Sequence, residues 1–392
     1  MTHSRVSKRI LNLKPSATLA VDSLIKDLQE KGEKIINLGL GEPDFDTPQS
    51  IKNAAIKAIK DGFTHYTKVE GIKSLREAIA KKLLEENKVK YIPEEIVVGV
   101  GSKQVLYNAF QVICNPGDEV VLISPLWNTY IEQIKLAGAK PVVSKLSFPF
   151  KLVPQDIEKK ITRKTKAILL NYPNNPTGMT IERNVLKEIA KLAVNRKIFV
   201  ISDEIYESLL YSKVHTSIAS WGKEIRNLTI TIGGFSKTYA MTGWRIGFGA
   251  GPRDLISPII SLQGQTTFNT SSISQMAALA AIKSGQNDVQ AMLKEYEKRR
   301  NFIYKRLSKI EGLDLYLPDG AFYFFIGIKK YLNKNISSSN QWAQKLLQEE
   351  KVAVIPGESF LYPDFFRISF TTSLENVKEG LKRIERFVKK YA

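Results

Sequence analysis

Short runs of apolar, often β-branched residues alternate along this chain with longer stretches whose apolar positions recur every three to four residues. The first pattern predicts buried strands, and the second predicts amphipathic helices. Strands are predicted at 35–38, 95–100, 119–123, 141–144, 166–170, 197–201, 228–232 and 244–250, and helices at 49–60, 72–86, 101–113 and 182–194. Strands and helices that alternate in this way indicate a mostly parallel sheet.

The last hundred residues have a different pattern. A long helix is predicted at 289–307, and it is followed by short strands around 320–323, 352–357 and 366–370. At 392 residues and 44.2 kDa the chain is long enough to bury a large core and to form two domains. We therefore expect the final segment to belong to a second, smaller domain.

Composition places the chain among ordinary globular proteins, with 43% hydrophobic and 25% charged residues. No apolar run approaches the ~20 residues of a membrane helix, so we expect a cytoplasmic protein. A single cysteine, Cys114, excludes an intrachain disulfide. The three histidines, His3, His65 and His215, show no metal-ligand spacing, so no metal is predicted.

A formal net charge of +19 raises the question of a nucleic-acid partner. The lysines are spread along predicted helix faces, for example at 73–90 and 294–309, and they form no concentrated basic arm. A lysine-rich composition of the kind found in thermophiles explains the excess more simply. Nucleic-acid binding is not predicted.

Polar side chains follow three of the predicted strands, at the point where each strand ends. Asn175 follows the run at 166–170, Asp203 and Tyr206 follow the run at 197–201, and Lys237 follows the run at 228–232. Ligands of open α/β sheets bind outside the carboxyl ends of the strands. Lys237 alone would more often be a solvated loop cation, but its position beside the other strand ends, with Arg245 eight residues later, favours a chemical role.

A pyridine aldehyde that carries a phosphate would use each of these groups. Lysine condenses with the aldehyde as a Schiff base, and a carboxylate pairs with the protonated ring nitrogen of an electron-sink cofactor. Asparagine and tyrosine can bind the ring hydroxyl, while the planar arginine fork suits a phosphate.

Three motifs carry a resemblance to a known family: NNPTG at 174–178, SDEIY at 202–206 and SKTYAMTGWRIG at 236–247. In this order and spacing the chain resembles the class I aminotransferases, pyridoxal-phosphate enzymes of fold type I, from about Lys14 onward. It is most similar to the aspartate aminotransferases of thermophilic bacteria and archaea. The resemblance implies an α/β fold with a mostly parallel central sheet in a large domain at 47–288. It also implies a smaller α/β domain built from both chain ends, 1–46 and 289–392.

The same resemblance implies pyridoxal 5′-phosphate as the cofactor, ping-pong transamination, and a homodimer with its active sites at the subunit interface. Lys237 would form the Schiff base and move the proton, Asp203 would pair with the ring nitrogen, and Asn175 and Tyr206 would bind the ring hydroxyl. The ring would stack on Trp127. The implied phosphate ligands are Arg245, Ser236, the turn Gly101–Ser102–Lys103, and Tyr66 of the other subunit. From the residues alone, the turn at Gly101 could equally be a plain helix cap.

For the substrate, the resemblance implies that Arg367 clamps the α-carboxylate. From the residues alone, Arg367 could instead form a structural salt bridge. Gly41 would contact the substrate through its backbone, although turn chemistry also explains it, and Asn175 and Trp127 would line the same site. Lys103, with Ser16 and Thr18, would bind a side-chain carboxylate.

The chain departs from the wider family at two places. It has no arginine between Arg253 and Arg299, where the classical aspartate enzymes carry one for the side-chain carboxylate, and Gly234 replaces the usual serine three residues before the lysine.

The predicted reaction is transamination between aspartate or glutamate and 2-oxoglutarate or oxaloacetate. Aromatic, alanine or prephenate-type aminotransferases, C–S lyases and aminocyclopropane-carboxylate synthases share this scaffold and stay open as alternatives. A basic nucleic-acid-binding protein on a degenerate enzyme fold is the alternative from another class, and the intact set of Asp203, Lys237 and Arg245 argues against it.

Overall fold

The computed structural model describes residues 6–11, 13, 23, 25, 27–28 and 30–391. The strands are β1 Ile36–Asn37, β2 Ile96–Gly99, β3 Glu119–Ser124, β4 Lys140–Lys145, β5 Thr165–Asn171, β6 Phe199–Asp203, β7 Thr229–Gly234, β8 Gly247–Ala250, β9 Tyr323–Gly327, β10 Val352–Ala353, β11 Ile355–Pro356 and β12 Phe365–Ser369.

The α-helices are Lys8–Leu11, Gln49–Lys60, Lys73–Glu85, Ser102–Ile113, Thr129–Leu136, Pro154–Glu158, Arg183–Arg196, Lys223–Arg226, Arg253–Gly264, Ser272–Ser284, Gln286–Leu307, Ser339–Glu350 and Leu374–Tyr391. Short 3₁₀ turns lie at Pro93–Glu95, Ile218–Trp221, Lys329–Tyr331 and Gly357–Phe360. None of the described helices combines the length and apolar character needed to cross a membrane.

Seven strands form the central sheet in the order β2-β8-β7-β6-β5-β3-β4. All neighbours are parallel except β8, which runs antiparallel to both β2 and β7. The inner parallel strands β3, β5, β6 and β7 are mostly buried, as expected for a sheet with both faces covered, whereas the edge strand β4 is only partly buried. The predicted α/β class with a mostly parallel central sheet is confirmed.

A smaller unit combines both ends of the chain. Strand β1 pairs in parallel with β10, and β9, β12 and β11 form an antiparallel sheet. A cluster of aromatic rings fills its core, where Trp342 packs edge-on against Phe387 with centroids 4.9 Å apart. This arrangement agrees with a small α/β unit built from both chain ends, while the domain bounds at 46/47 and 288/289 stay predictions.

Two of the predicted strands are interrupted in the structure. The strand predicted at 244–250 begins only at Gly247, because Arg245 has φ of 51° and this left-handed conformation cannot continue a strand. The strand predicted at 352–357 is split, and its two halves join different sheets. The sequence also predicts a first helix that opens at 14–18, with apolar positions as far as Leu28. Its start at 14–22 lies outside the described residues, and the described residues 23, 25, 27, 28 and 30 are helical.

Candidate active site

A cavity of about 390 Å³ lies at the carboxyl ends of β5 and β6, beyond the end of β7. Residues from β12 and from the loop after β1 close its other side. Most of the side chains singled out in the sequence line this one space: Gly41, Ser102, Lys103, Trp127, Asn175, Asp203, Tyr206, Ser236, Lys237, Arg245 and Arg367. The strand-end pattern therefore gathers residues that lie up to 326 positions apart, from Gly41 to Arg367.

Lys237 lies three residues beyond β7 and points into this cavity. Its Nζ donates a hydrogen bond to the carbonyl oxygen of Gly41 at 2.5 Å. Burial lowers the pKa of Lys237 to about 8; the Glu42 carboxylate opposes this shift, and the nearby charge of Arg367 adds to it. An ammonium group with such a pKa gives up its proton close to neutral pH, which a nucleophile or base requires.

Asp203 ends β6 and is 3% exposed. Its Oδ2 accepts a hydrogen bond from the Tyr130 hydroxyl at 2.7 Å, and its Oδ1 accepts one from the Ile205 amide at 3.3 Å. Burial raises the pKa of Asp203 to about 6, while these two donors hold it down. The carboxylate is thus kept ionised at neutral pH in a site that would otherwise favour the neutral acid.

Arg367 lies in β12 and is 3% exposed. Its Nη1 donates to Asn175 Oδ1 at 2.8 Å and its Nη2 to the Gly39 carbonyl at 2.7 Å, whereas its Nε has no partner among the described residues. Its guanidinium carbon lies 4.4 Å from the ring centre of Tyr323. Burial lowers the pKa of Arg367.

The contacts of Arg367 weigh against the salt-bridge interpretation, because no carboxylate of the described residues lies within 4.0 Å of it. A buried cation without an anion is costly, so the site favours an anionic ligand.

A second cationic corner surrounds the start of the helix Ser102–Ile113. Gly101 precedes this helix with φ of 78°, and a Cβ added to it would lie 2.7 Å from Arg245 Nη2. Arg245 Nη1 donates to the Thr242 carbonyl at 2.9 Å, and Ser102 Oγ donates to the Gly233 carbonyl at 2.8 Å. A helix start beside an arginine offers amide donors and positive charge to a phosphate.

The glycine at position 234 has a steric explanation. A Cβ there would collide with Ser102 Oγ and would lie 2.9 Å from the Ile205 Cδ1 atom. Ser102 therefore fills the space that a serine at position 234 would need.

Lys103 and Trp127 face each other across the cavity wall. The Lys103 Nζ lies 4.7 Å from the centre of the Trp127 ring, and burial, together with the charge of Arg245, lowers the pKa of Lys103. Trp127 in turn meets the Tyr130 ring edge-on, with centroids 5.4 Å apart. No carboxylate of the described chain pairs with Lys103.

Two described residues of the predicted site, Gly101 and Tyr66, are not among those that line the cavity. Ser16 and Thr18 lie outside the described residues. Tyr66 is 87% exposed and packs edge-on against Phe268, with centroids 5.1 Å apart. Its predicted role involves a second subunit and stays a prediction.

Residues 33–384 match the model of the family "Aminotransferase class I and II". The chain belongs to this family. It is 44% identical over 388 residues to an aspartate aminotransferase of Bacillus sp. strain YM-2, covering 98% of this chain and 99% of that protein. It is 45% identical over 386 residues to a probable aspartate/prephenate aminotransferase of Aquifex aeolicus, covering 97% and 98% of the two proteins.

Solved structures agree with this assignment. The aspartate aminotransferase of Thermus thermophilus with maleate superimposes with a TM-score of 0.94 at 38% identity, covering 98% of this chain and 99% of that one. The enzyme of Rhizobium meliloti gives 0.95 at 35% identity, covering 99% and 100%. The predicted resemblance to bacterial aspartate aminotransferases is thereby confirmed.

Sequence reasoning missed several residues that line the cavity of this aminotransferase. Tyr130 and Tyr323 are buried and hydrogen-bonded to predicted site residues, and Asn171, at the end of β5, donates through its side-chain amide to the Asp203 carbonyl at 3.2 Å. For Tyr130 a signal existed, because it follows Trp127 by only three residues; in the structure Trp127 precedes the helix Thr129–Leu136, and the Tyr130 amide donates to the Trp127 carbonyl at 3.1 Å. For Tyr323 there was none, since its neighbours come from other strands.

The structure also brings His215 to the carboxylates of Glu204 and Glu207, which follow β6 in the chain. His215 Nε2 lies 2.8 Å from Glu204 Oε2, and Lys82 forms an ion pair with Glu207. Because nitrogen groups of the protein already engage both acids, we assign this cluster to the support of β6, and the absence of a metal stays a prediction.

Proposed function

We propose that this aminotransferase uses pyridoxal 5′-phosphate to transfer the amino group of aspartate or glutamate to a 2-oxo acid, 2-oxoglutarate or oxaloacetate. One observation carries the proposal: Arg367, a buried arginine without a carboxylate partner among the described residues, faces the same cavity as Lys237, whose pKa is lowered to about 8. The first group suits an α-carboxylate, and the second suits a carbonyl carbon and a proton.

The donor set of the cavity fits the cofactor at each of its polar groups. Asp203 would pair with the ring nitrogen, Asn175 and Tyr206 would bind the ring hydroxyl, and Trp127 would lie against the ring. The phosphate would be held by Arg245, Ser236 and the turn Gly101–Ser102–Lys103. When bound, the pyridine ring supplies an electron sink for the charge left at the substrate Cα.

The protein's own contribution is to orient the substrate and to move one proton. Arg367, held by Asn175 and Gly39, fixes the α-carboxylate and thereby the direction of the Cα–H bond. Lys237 Nζ takes up the Cα proton as a base and returns it as an acid, and a pKa of about 8 suits both directions near neutral pH. Arg367 and Tyr323 of the small unit line one side of the cavity, where they would limit the access of water to a bound substrate.

Substrate choice is proposed to depend on Lys103. It lies over the Trp127 ring without a carboxylate partner in the described chain, so it is available to a side-chain carboxylate of the substrate. Ser16 and Thr18 would assist it. The Aquifex relative is a probable aspartate/prephenate aminotransferase, so prephenate, which also carries two carboxylates, is a second candidate acceptor.

A homodimer in the cytoplasm is part of the same proposal. Tyr66 and Phe268 form an exposed aromatic pair, and exposed aromatic rings are typical of protein interfaces. In the dimer, Tyr66 would reach the phosphate in the partner subunit.

The first test is the visible absorption spectrum of the purified protein, recorded before and after addition of L-aspartate. We expect a band of the lysine-bound cofactor that shifts towards the spectrum of the amine form. A band that stays unchanged with aspartate but shifts with another amino acid would contradict the substrate assignment. No band, even after pyridoxal phosphate is added, would overturn the cofactor and the enzyme together.

The second test is Lys103→Ala, assayed with aspartate and with alanine as donors. Because a hydrogen bond to a charged group contributes about 1.5–3 kcal/mol, kcat/KM for aspartate should fall about ten- to hundredfold. The value for alanine should change little, and Lys73→Ala, on an exposed helix face, serves as the matched control. An equal loss with both donors would show that Lys103 does not recognise the side-chain carboxylate.

A further inference from the structure

Tyr323 contacts two side chains of the candidate site, Tyr206 and Arg367. It begins β9, is 1% exposed and lines the cavity. Its hydroxyl lies 2.8 Å from the hydroxyl of Tyr206. Its ring lies under Arg367, with 4.4 Å between the ring centre and the guanidinium carbon. One side chain thus contacts both the proposed ligand of the cofactor's ring hydroxyl and the proposed clamp of the α-carboxylate.

The register of the small sheet explains these contacts. Tyr323 pairs with Ser369 across β9 and β12, and Arg367 pairs with Phe325, so Tyr323 and Arg367 are diagonal neighbours. Diagonal positions of an antiparallel pair lie on the same face of the sheet, within reach of long side chains. The face of the small sheet that carries Arg367 therefore also carries Tyr323.

The hydroxyl of Tyr323 is confined on its other side as well. A Cβ added to Gly41 would lie 2.7 Å from it, so the loop that accepts the hydrogen bond of Lys237 packs directly against this phenol. Among the described residues the hydroxyl of Tyr206 is its one hydrogen-bond partner.

The protons on the two hydroxyls limit which of them can donate the hydrogen bond. Each phenol carries one proton, and one of the two hydroxyls must donate to the other. If Tyr206 donated to Tyr323, it would have no proton left for the ring hydroxyl of a cofactor. If Tyr323 donates to Tyr206, the Tyr206 proton is free to point into the cavity.

We propose that Tyr323 is a positioning residue whose hydroxyl donates to Tyr206 and thereby directs the Tyr206 proton towards the ring hydroxyl of the cofactor. This inference rests on the proposed function, since it assigns that hydroxyl to the ligand. The ring of Tyr323 supports Arg367 independently of its hydroxyl, so the two contributions can be separated by substitution.

The test uses the cofactor-loaded full-length protein and the variants Tyr323→Phe, Tyr206→Phe and the double variant. The readout is the pH titration of the visible cofactor band, which does not depend on turnover. A donor to the ring oxygen stabilises the deprotonated form of the lysine-bound cofactor, so its loss should raise the midpoint. We expect a rise of about half to one pH unit for Tyr323→Phe and a larger rise for Tyr206→Phe.

The double variant is decisive, because Tyr323 is proposed to act only through Tyr206. Its midpoint should equal that of Tyr206→Phe alone. The dissociation constant of maleate, a dicarboxylate probe for Arg367, should change less than about twofold in Tyr323→Phe, since the ring remains. Tyr316→Phe removes a phenol that donates to Asp319 at 2.8 Å outside the cavity, and it should leave both measurements unchanged.

An unchanged midpoint in Tyr323→Phe, or additive shifts in the double variant, would overturn the assignment of Tyr323 and leave the proposed function intact. A wild-type protein without a visible band would overturn the proposed function and this inference with it.

Discussion

Replacing Tyr130 with phenylalanine removes one hydroxyl from the site and leaves its ring in place. That hydroxyl donates at 2.7 Å to Asp203, whose pKa is raised by burial to about 6. A hydrogen bond to a charged group contributes about 1.5–3 kcal/mol, and one pKa unit corresponds to about 1.4 kcal/mol. The variant's Asp203 should therefore titrate about one to two units higher, at a pKa of about 7–8.

The direction of the pH dependence follows from the form of Asp203, ionised or protonated, that supports cofactor binding. A protonated Asp203 cannot pair as an anion with a protonated ring nitrogen, so only the ionised fraction supports binding. At pH 7 that fraction falls from about nine-tenths to between about half and one-tenth, so the dissociation constant of pyridoxal phosphate should rise about two- to tenfold. At pH 9 Asp203 is ionised in both proteins, and their dissociation constants for pyridoxal phosphate should differ by less than about twofold.

The assay is quenching of tryptophan fluorescence as the cofactor-free protein is titrated with pyridoxal phosphate between pH 6 and 9. Tyr316→Phe, which removes a comparable phenol–carboxylate bond to Asp319, is the control and should bind like the wild type at every pH. A weakening by Tyr130→Phe that is the same at pH 6 and at pH 9 would refute the reasoning, because the hydroxyl would then not act through the ionisation of Asp203.

Three further substitutions test other parts of the site. Lys237→Ala should abolish transamination and the borohydride-stable attachment of the cofactor, measured by mass spectrometry; a retained adduct would contradict its role. Arg367→Lys keeps the charge but loses the planar fork, so kcat/KM for aspartate should fall at least about hundredfold while the cofactor spectrum is retained; an unchanged value would remove Arg367 from substrate binding. Gly234→Ser should lower the free energy of unfolding by about 1–3 kcal/mol in chemical denaturation, because the added Cβ meets Ser102 Oγ. Gly243→Ser is the control and should be neutral, since a Cβ added there has no atom within 4 Å. Equal effects of the two substitutions would contradict the steric explanation.

The position of the site could be predicted from sequence because it depends on strand ends. Asn171 and Asp203 are the last residues of parallel neighbours β5 and β6, and in register they lie directly opposite each other. An apolar run followed by a polar residue is enough to locate such a position without knowledge of the fold's details. For the same reason, errors of one or two residues in the predicted strand bounds did not move the predicted site.

The contacts between site residues could not be predicted, because they depend on how separate elements meet. Tyr323 lies under Arg367 through the register of an antiparallel pair whose members are 44 positions apart, and nothing in either segment states that register. The same holds for the hydrogen bond from Tyr130 to Asp203, which joins a helix to a strand 73 positions later. Residue type and spacing identified the groups that face the ligand, but the groups that orient them required the packed structure.

The net charge of the whole chain differs in its meaning from the charge inside the cavity. The net charge of +19 is spread over the molecule and gives no information about a partner. Among the described residues that line the cavity, however, four cations, Lys103, Lys237, Arg245 and Arg367, face two carboxylates, Glu42 and Asp203. After burial and the opposing effect of Glu42, the pKa of Lys237 is lowered further by the other three cations. A phosphate beside Arg245 and a carboxylate beside Arg367 would offset part of this repulsion, so the local excess of positive charge favours anionic ligands and leaves Lys237 able to exchange a proton near neutral pH.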